Sequence, residues 1–269
     1  MDLNLAGSTA YVTGGAQGIG AAIVDRLVAE GVAVAVSDVD ADQLNDRHRD
    51  GQHGWTVAGR APVLIPADLS NPQDTVRAAD AAVAGLGGPP TILVNNVGVA
   101  KSQPFLNISD ADWAAGFDLN FMSAVRTSKA LLPQMAAAGG GAVVIISSDL
   151  AKQPDTVPAD YGAMKAALLY LSKALALEFA PLVRVNAVCP GPVWTGLWSR
   201  PGGVADKMAE AYGTDRDTAI QRYLQDRHLP LGIGQPDDVA TLVAYLVSPA
   251  AKFLTGSTYD VGGTLRGLF

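Results

Sequence analysis

Short β-branched and aliphatic runs alternate along this chain with longer stretches whose apolar positions recur at helical spacing. The short runs predict strands at Thr9–Thr13, Val32–Ser37, Val63–Ala67, Thr91–Asn95, Ala142–Ser147, Val183–Val188 and Ser257–Asp260. Most are apolar on both faces, as in central strands of a parallel sheet covered by helices. The longer runs predict helices at Gly18–Glu30, Pro72–Ala84, Asp110–Ala138, Asp160–Ala180 and Pro236–Val247. Pro236, followed by Asp237 and Asp238, suits the first turn of a helix. Strand–helix alternation throughout implies a doubly wound, mainly parallel seven-stranded Rossmann sheet, with residues 1–269 as one α/β domain. Two segments break the rhythm. Arg47–Arg60 lengthens one connection, and Trp194–Pro230 is a long insertion before the last helix. Long connections at the carboxyl end of a parallel sheet usually carry function.

The 269 residues are 49% hydrophobic and 17% charged, enough for a large core. A net charge of −7 argues against nucleic-acid binding, which needs a basic face. Cys189 is the sole cysteine, so no intrachain disulfide forms, which fits a reducing cytoplasm. The opening residues show no export signal. Two uncharged stretches, Ala81–Ala100 and Ala130–Ser148, are interrupted by Gly87-Gly88-Pro89-Pro90 and by Pro133 and Gly139-Gly140-Gly141. They read as helix, turn and buried strand, and no membrane association is expected. His48, His53 and His228 lack metal-ligand spacing, so no catalytic metal is expected.

Thr13–Gly20 opens the first helix directly after the first strand. Its glycines, Gly14, Gly18 and Gly20, permit a tight turn and close backbone approach to a pyrophosphate, which the helix N-terminus attracts. Glycine-rich turns of this kind also occur for packing alone. Asp38 ends the second strand, where a carboxylate accepts hydrogen bonds from an adenosine ribose and repels a 2′-phosphate. No Arg or Lys lies in the glycine loop or just after Asp38, so NAD is favoured over NADP. The alternative is that Asp38 caps the next helix. Asp68-Leu69 and Asn95-Asn96-Val97-Gly98 also fall at carboxyl strand ends, where either ligand contact or turn chemistry explains them.

Tyr161 and Lys165 lie four residues apart and share a helix face. A free tyrosine has a pKa near ~10, too high for a base at neutral pH, and a nearby ammonium lowers it. Ser148, at the end of the fifth strand, is placed to hydrogen-bond a substrate oxygen.

With these pieces assembled, the chain resembles the classical short-chain dehydrogenase/reductase family over essentially its full length. The matching motifs are Thr13–Gly20, Asp68-Leu69, Asn95–Gly98, Asn120, Ser148, Tyr161-x-x-x-Lys165 and Pro190–Thr195. Gly234-Gln235-Pro236, Leu254–Gly256 and Asp260–Gly263 also fit. The resemblance implies Tyr161 as general acid/base, with Lys165 lowering its pKa and holding the nicotinamide ribose. It implies that Ser148 polarises the substrate carbonyl or orients the alcohol, and that Asn120 anchors a water in a proton relay beyond Lys165. Gly14, Gln17, Gly18, Ile19 and Gly20 would meet the cofactor at the turn. Asp38 would bind its ribose, Asp68 and Leu69 the adenine, and Asn95 and Gly98 the adjoining region. Pro190, Gly191, Val193 and Thr195 would meet the nicotinamide end.

Three positions depart from the family pattern. Val97 stands where alanine is usual, Met164 where serine is common, and Asp149 where a small residue is usual. Asp149 faces either solvent or the substrate cleft. In the insertion, Trp194 and Trp198 are candidate contacts to a hydrophobic or cyclic alcohol or ketone. The alternative is that they pack the flap onto the domain. The resemblance also implies a homotetramer. The leading expectation is an NAD-dependent alcohol dehydrogenase/ketone reductase. Alternatives are a catalytically silent nucleotide sensor on the same fold and a carbon–carbon double-bond reductase.

Overall fold

In the computed structural model, residues 2–50, 55–101, 103–154 and 158–262 are described. His53 and Gly263 lie outside them. Seven strands form one sheet in the order β3-β2-β1-β4-β5-β6-β7, and all six pairings are parallel. The strands are β1 (Thr9–Thr13), β2 (Ala33–Asp38), β3 (Val63–Pro66), β4 (Ile92–Asn95), β5 (Gly141–Ile146), β6 (Val183–Pro190) and β7 (Thr258–Val261). Each lies within two residues of its expected bounds at either end.

Side chains alternate between two apolar layers, as strand geometry requires. Ala10, Val12, Val34, Val36, Ile92, Val94, Val144 and Ile146 face α1 (Gly18–Ala29) and α10 (Pro236–Val247). Tyr11, Ala35, Leu93, Val143 and Ile145 face the opposite layer. That layer comprises α3 (Pro72–Leu86), α5 (Ser123–Ala137) and α6 (Ala159–Phe179). Strand order reverses between β1 and β4, so a crevice opens at their carboxyl ends.

Three helical features depart from the sequence expectation. First, α2 (Ala41–Asp50), for which the sequence set no bounds, runs into the Arg47–Arg60 connection. It is polar at nearly every position and among its described side chains buries only Leu44, so it shows no apolar stripe. Trp55 is tied back to α1. It is 1% exposed and donates its indole N–H to Asp25 at 2.7 Å, and Arg47 pairs with the same carboxylate.

Second, the helix expected over Asp110–Ala138 is broken. It divides into α4 (Asp110–Phe117), a π-helical turn at Asp118–Met122, and α5. Hydrophobic spacing does not report one inserted residue, and such turns recur at functional sites. Third, the Trp194–Pro230 insertion is itself helical. It contains α7 (Gly196–Ser199), α8 (Val204–Tyr212) and α9 (Arg216–Asp226).

Candidate active site

The crevice holds a cavity of about 570 Å³. It runs from Asp38 and Asp68 past the glycine turn to Ser148, Tyr161 and Lys165, under Leu197 and Trp198.

The glycine turn is built by close approach. A Cβ on Gly20 would stand 2.0 Å from the Gly14 carbonyl oxygen, and one on Gly15 2.2 Å from Val36 Cγ1. Gly14 and Gly18 adopt positive φ, +67° and +57°. No side chain caps α1, so its first-turn amides are left to the cavity. Gly14, Gln17, Gly18, Ile19 and Gly20 all line it. Asp38 does not cap α2: Asp40 does, accepting the Gln43 N–H at 2.9 Å. Instead Asp38 accepts the backbone N–H groups of Ala16 (3.0 Å) and Asp40 (3.2 Å), locking its carboxylate against the turn. Leu69 and Asp68 complete that end, with Asp68 also bonded by Ser70.

Asn95 is a correction. Its side chain points away from the cavity and donates to Ser128 Oγ at 3.1 Å. It shares strand parity with Leu93, which fixes it in the layer under α5. The next residue, Asn96, reaches the site. Its amide donates to the carbonyls of Thr13 (3.0 Å) and Gly14 (2.9 Å), tying the glycine turn to β4. Parity along β4 is the signal that distinguishes the two.

At the other end, β5 delivers Ser148 and α6 delivers Tyr161 and Lys165. Ser148 is 7% exposed and its Oγ accepts the Leu150 N–H at 3.2 Å. Ser148 also hydrogen-bonds Tyr161. Lys165, 1% exposed, donates to the Ile146 carbonyl at 2.9 Å, and its Nζ lies 5.4 Å from the Tyr161 ring centre. Ser147 locks α6 to β5 through the Lys165 carbonyl at 2.8 Å.

At Tyr161 burial outweighs the lowering expected from Lys165. Burial pushes the phenol well above its ordinary value, the Asp149 charge adds to that, and the Ser148 hydrogen bond opposes it. Burial also lowers the Lys165 ammonium to about 8.

Asn120 sits in the π-helical turn, 3% exposed. Its Oδ1 accepts the Val99 N–H at 2.9 Å and its Nδ2 donates to Gly116 at 3.0 Å. Gly98 lies between it and the lysine: a Cβ there would stand 2.8 Å from Lys165 Nζ and 3.1 Å from Asn120 Oδ1. Met164 packs against the same asparagine, 3.9 Å from Nδ2.

Pro190, Gly191, Val193 and Thr195 form the far wall. The strand end is latched by Trp194 N–H to Gly234 (2.8 Å) and Gly234 N–H to Pro192 (3.0 Å). Trp198 is 7% exposed, lines the cavity, and meets Tyr223 edge-on at 5.5 Å. Trp194 does not reach the cavity. It flanks a separate groove with Ala21, Arg47 and Pro236. Asp149 is half-buried beside Ser148 and outside the cavity wall. Arg200 stands exposed at the cavity edge.

A family model described as enoyl-(acyl carrier protein) reductase matches residues 14–264. The chain is 36% identical to a 4-formylbenzenesulfonate dehydrogenase of Comamonas testosteroni, over 97% of this chain and 98% of that protein. The L-sorbose reductase of Gluconobacter frateurii, solved with NADPH and L-sorbose, superposes with a TM-score of 0.89 at 30% identity, covering 100% of both chains. A 7α-hydroxysteroid dehydrogenase solved with NADH and 7-oxo glycochenodeoxycholic acid gives 0.82 at 29% identity, over 100% of this chain and 98% of that one. The chain belongs to the short-chain dehydrogenase/reductase family. It is an oxidoreductase of that family, built to bind a nicotinamide cofactor.

Proposed function

We infer that this protein is an NAD-dependent dehydrogenase/reductase interconverting a secondary alcohol and a ketone on an apolar or cyclic small molecule. The observation that carries the reading is a single cavity joining the uncapped glycine turn and Asp38 to the Ser148–Tyr161–Lys165 cluster. The dinucleotide fits the residues present. A pyrophosphate would meet the uncapped α1 amides beside the turn that Gly14, Gly18 and Gly20 keep tight, and Asp38 would face the ribose hydroxyls. Asp38, its carboxylate held by Ala16, disfavours a 2′-phosphate, and no cation stands beside it in the glycine turn.

When bound, the nicotinamide supplies or accepts the hydride. Tyr161 gives the proton to the substrate oxygen in reduction and takes it in oxidation. Ser148 holds that same oxygen by hydrogen bonding. Lys165 places a positive charge behind the phenol and binds the nicotinamide ribose through its remaining ammonium hydrogens. Asn120 holds the Val99 backbone. Gly98 keeps the space between Asn120 and Lys165 open. Trp198 and Leu197 form an apolar roof that favours a ring or alkyl body over a charged one.

The relatives named for a benzenesulfonate aldehyde, a sugar and a steroid support a ring-bearing or carbonyl substrate here. The enoyl-reductase description of the family model favours carbon–carbon double-bond reduction as a second reading. Ser148 beside Tyr161 in one cavity, two hydroxyls that could share one substrate oxygen, supports the carbonyl reading. Exposed Tyr170 and Leu177 on α6 support assembly, which we take to be a homotetramer. Among the described residues no helix is long and apolar enough to cross a membrane, which fits our placement of the enzyme in the cytoplasm. The test is a panel of secondary alcohols, ketones and enones, followed by nicotinamide absorbance with NAD and NADP. Alcohol-linked NAD reduction is expected. Turnover of enones alone, with saturated ketones as products, would transfer the reading to the second chemistry.

A further inference from the structure

Almost every guanidinium in this chain is committed. Among the described residues, ion pairs hold six arginines, backbone carbonyls hold Arg60 and Arg184, and Arg222 and Arg227 lie over tyrosine rings. Among those residues Arg200 alone has no ion pair, hydrogen bond or ring for its guanidinium, and it lines the cavity edge. Its backbone is nonetheless held. The Arg200 N–H donates to the Gly196 carbonyl at 3.1 Å, and its carbonyl accepts the Gly203 N–H at 2.8 Å. Pro201 follows, and Arg200 takes the extended ψ, 153°, that a residue before proline prefers. The turn beyond is close-packed: a Cβ on Gly203 would stand 2.7 Å from the Arg200 carbonyl oxygen. A fixed base thus carries an unpaired cation at the mouth of the site.

The groups that could neutralise this cation are absent or occupied. Among the described residues no carboxylate lines the cavity at its Ser148 end: Asp38 and Asp68 stand at the other, and Asp149 lies outside the wall. Asp206, the acid nearest to Arg200 in sequence, is taken by Arg216 and by the Gly202 N–H at 2.7 Å. The other cation of the cavity, Lys165, is committed to the Ile146 carbonyl. We propose that Arg200 is a specificity-determining residue that receives a carboxylate at the far end of an apolar substrate, so that the preferred alcohol or ketone is a small organic acid. The proposal rests on the oxidoreductase reading and narrows its substrate class.

Arg200 ends the same short helix, α7, that carries Leu197 and Trp198. An apolar body under those two side chains therefore leads toward the guanidinium. The body stays apolar and only its outer end is charged. A planar fork matches the two oxygens of one carboxylate and binds them in parallel. A phosphate dianion calls for more than one cation or for free helix amides, and the α7 amides lie at the opposite end of that helix, at Gly196. Water reaches the rim, so the pair has the strength of an exposed ion pair, up to about fivefold in dissociation constant at low salt. Such a contact sorts substrates by charge without touching the reacting carbon.

The test is calorimetric titration of the full chain, saturated with whichever of NAD or NADP it binds in the oxidised form. The probes are 4-acetylbenzoate and its neutral isostere 4-acetylbenzamide, near neutral pH. A ketone does not react with an oxidised nicotinamide, so binding is read without turnover. The quantity compared is the benzoate-to-benzamide affinity ratio, in which the charge of the cofactor is common to all proteins. Arg200→Gln should lower that ratio about fivefold, and Arg200→Lys should keep most of it. Salt at about 0.5 M should bring the wild-type ratio toward that of Arg200→Gln, because the rim is exposed. A ratio that is the same in wild type and Arg200→Gln overturns the proposal. So does loss of cofactor affinity in Arg200→Gln with an unaltered ratio, which would give the guanidinium to the pyrophosphate. Benzoate binding that depends on Arg200 supports the proposal whether or not the reduced cofactor turns 4-acetylbenzoate over. Failure of turnover across the ketone panel counts against the oxidoreductase reading alone.

Discussion

A buried lysine destabilises a folded chain, and Lys165 lets that cost be measured. Its ammonium is 1% exposed, and burial takes its pKa from 10.5 to about 8. Below about pH 8 both states carry the proton and the penalty is full. Between about 8 and 10.5 the unfolded chain still binds the proton while the folded one does not. Stability from this group therefore rises with pH through that window, and the penalty is gone above it. At roughly 1.36 kcal/mol per pKa unit, the full penalty is on the order of 3 kcal/mol. About 2.5 kcal/mol of it should disappear between pH 7 and pH 10.

Lys165→Met keeps most of the stem and removes the charge. It also abandons the Ile146 carbonyl, a loss of about 1–3 kcal/mol that does not depend on pH. Tyrosines and other groups titrate in both proteins and cancel in the difference. Urea unfolding at pH 7, 8, 9 and 10 measures that difference. The stability of the variant relative to wild type should fall by about 2.5 kcal/mol across the series. Parallel stability curves would show that Lys165 does not have a depressed pKa, and the reasoning would fail.

Asp38→Ala should narrow the preference for NADH over NADPH in direct titration; tighter wild-type binding of NADPH would sink the reading of Asp38. Tyr161→Phe should lose at least ~10²-fold in turnover while NADH affinity holds, since it removes the proton and keeps the ring. Undiminished ketone reduction would refute its role. Gly98→Ala drives a methyl to 2.8 Å from Lys165 Nζ, so cofactor affinity should drop with little loss of thermal stability, as read by calorimetry and titration. Trp198→Ala should raise KM about tenfold for bulky cyclic substrates and less for small linear ones. A uniform rise across the size series with a lower melting temperature would leave Trp198 only its packing against Tyr223 and Trp194.

The layers and most of the site were legible because they follow from periodicities. Strand alternation placed Val12 and Val36 in one layer and Tyr11 and Ala35 in the other. Helical spacing brought Tyr161 and Lys165 to one face. What escaped the sequence was of a different kind. Asn95 and Asn96 are chemically identical, and only the pleat decides which one reaches the glycine turn. The π-helical turn that presents Asn120 adds one residue to a helix without disturbing its hydrophobic pattern. The flap helices α8 and α9 each bury little, one alanine apiece, so no apolar stripe announces them.

The Tyr161–Lys165 pair shows why a motif alone misjudges its own electrostatics. Spacing on a helix suggests an ammonium that acidifies a phenol. That inference counts one charge and omits the solvent. The fold that brings the two groups together also removes water from both. Desolvation opposes the charged form of each, so it lowers the lysine and raises the tyrosine. Two groups that sequence reasoning pairs as cation and incipient anion are thus both drawn toward neutrality. Asp149, on the other side of Ser148, adds to the effect on the phenol. A bound nicotinamide in its oxidised form carries a positive charge, which acts in the opposite sense on Tyr161. On the proposed function, the base needed for alcohol oxidation would be made most available by the cofactor that oxidation requires, and the acid needed for reduction would be preserved when that charge is absent. On that reading one cluster would serve both directions, its proton following the charge of its partner.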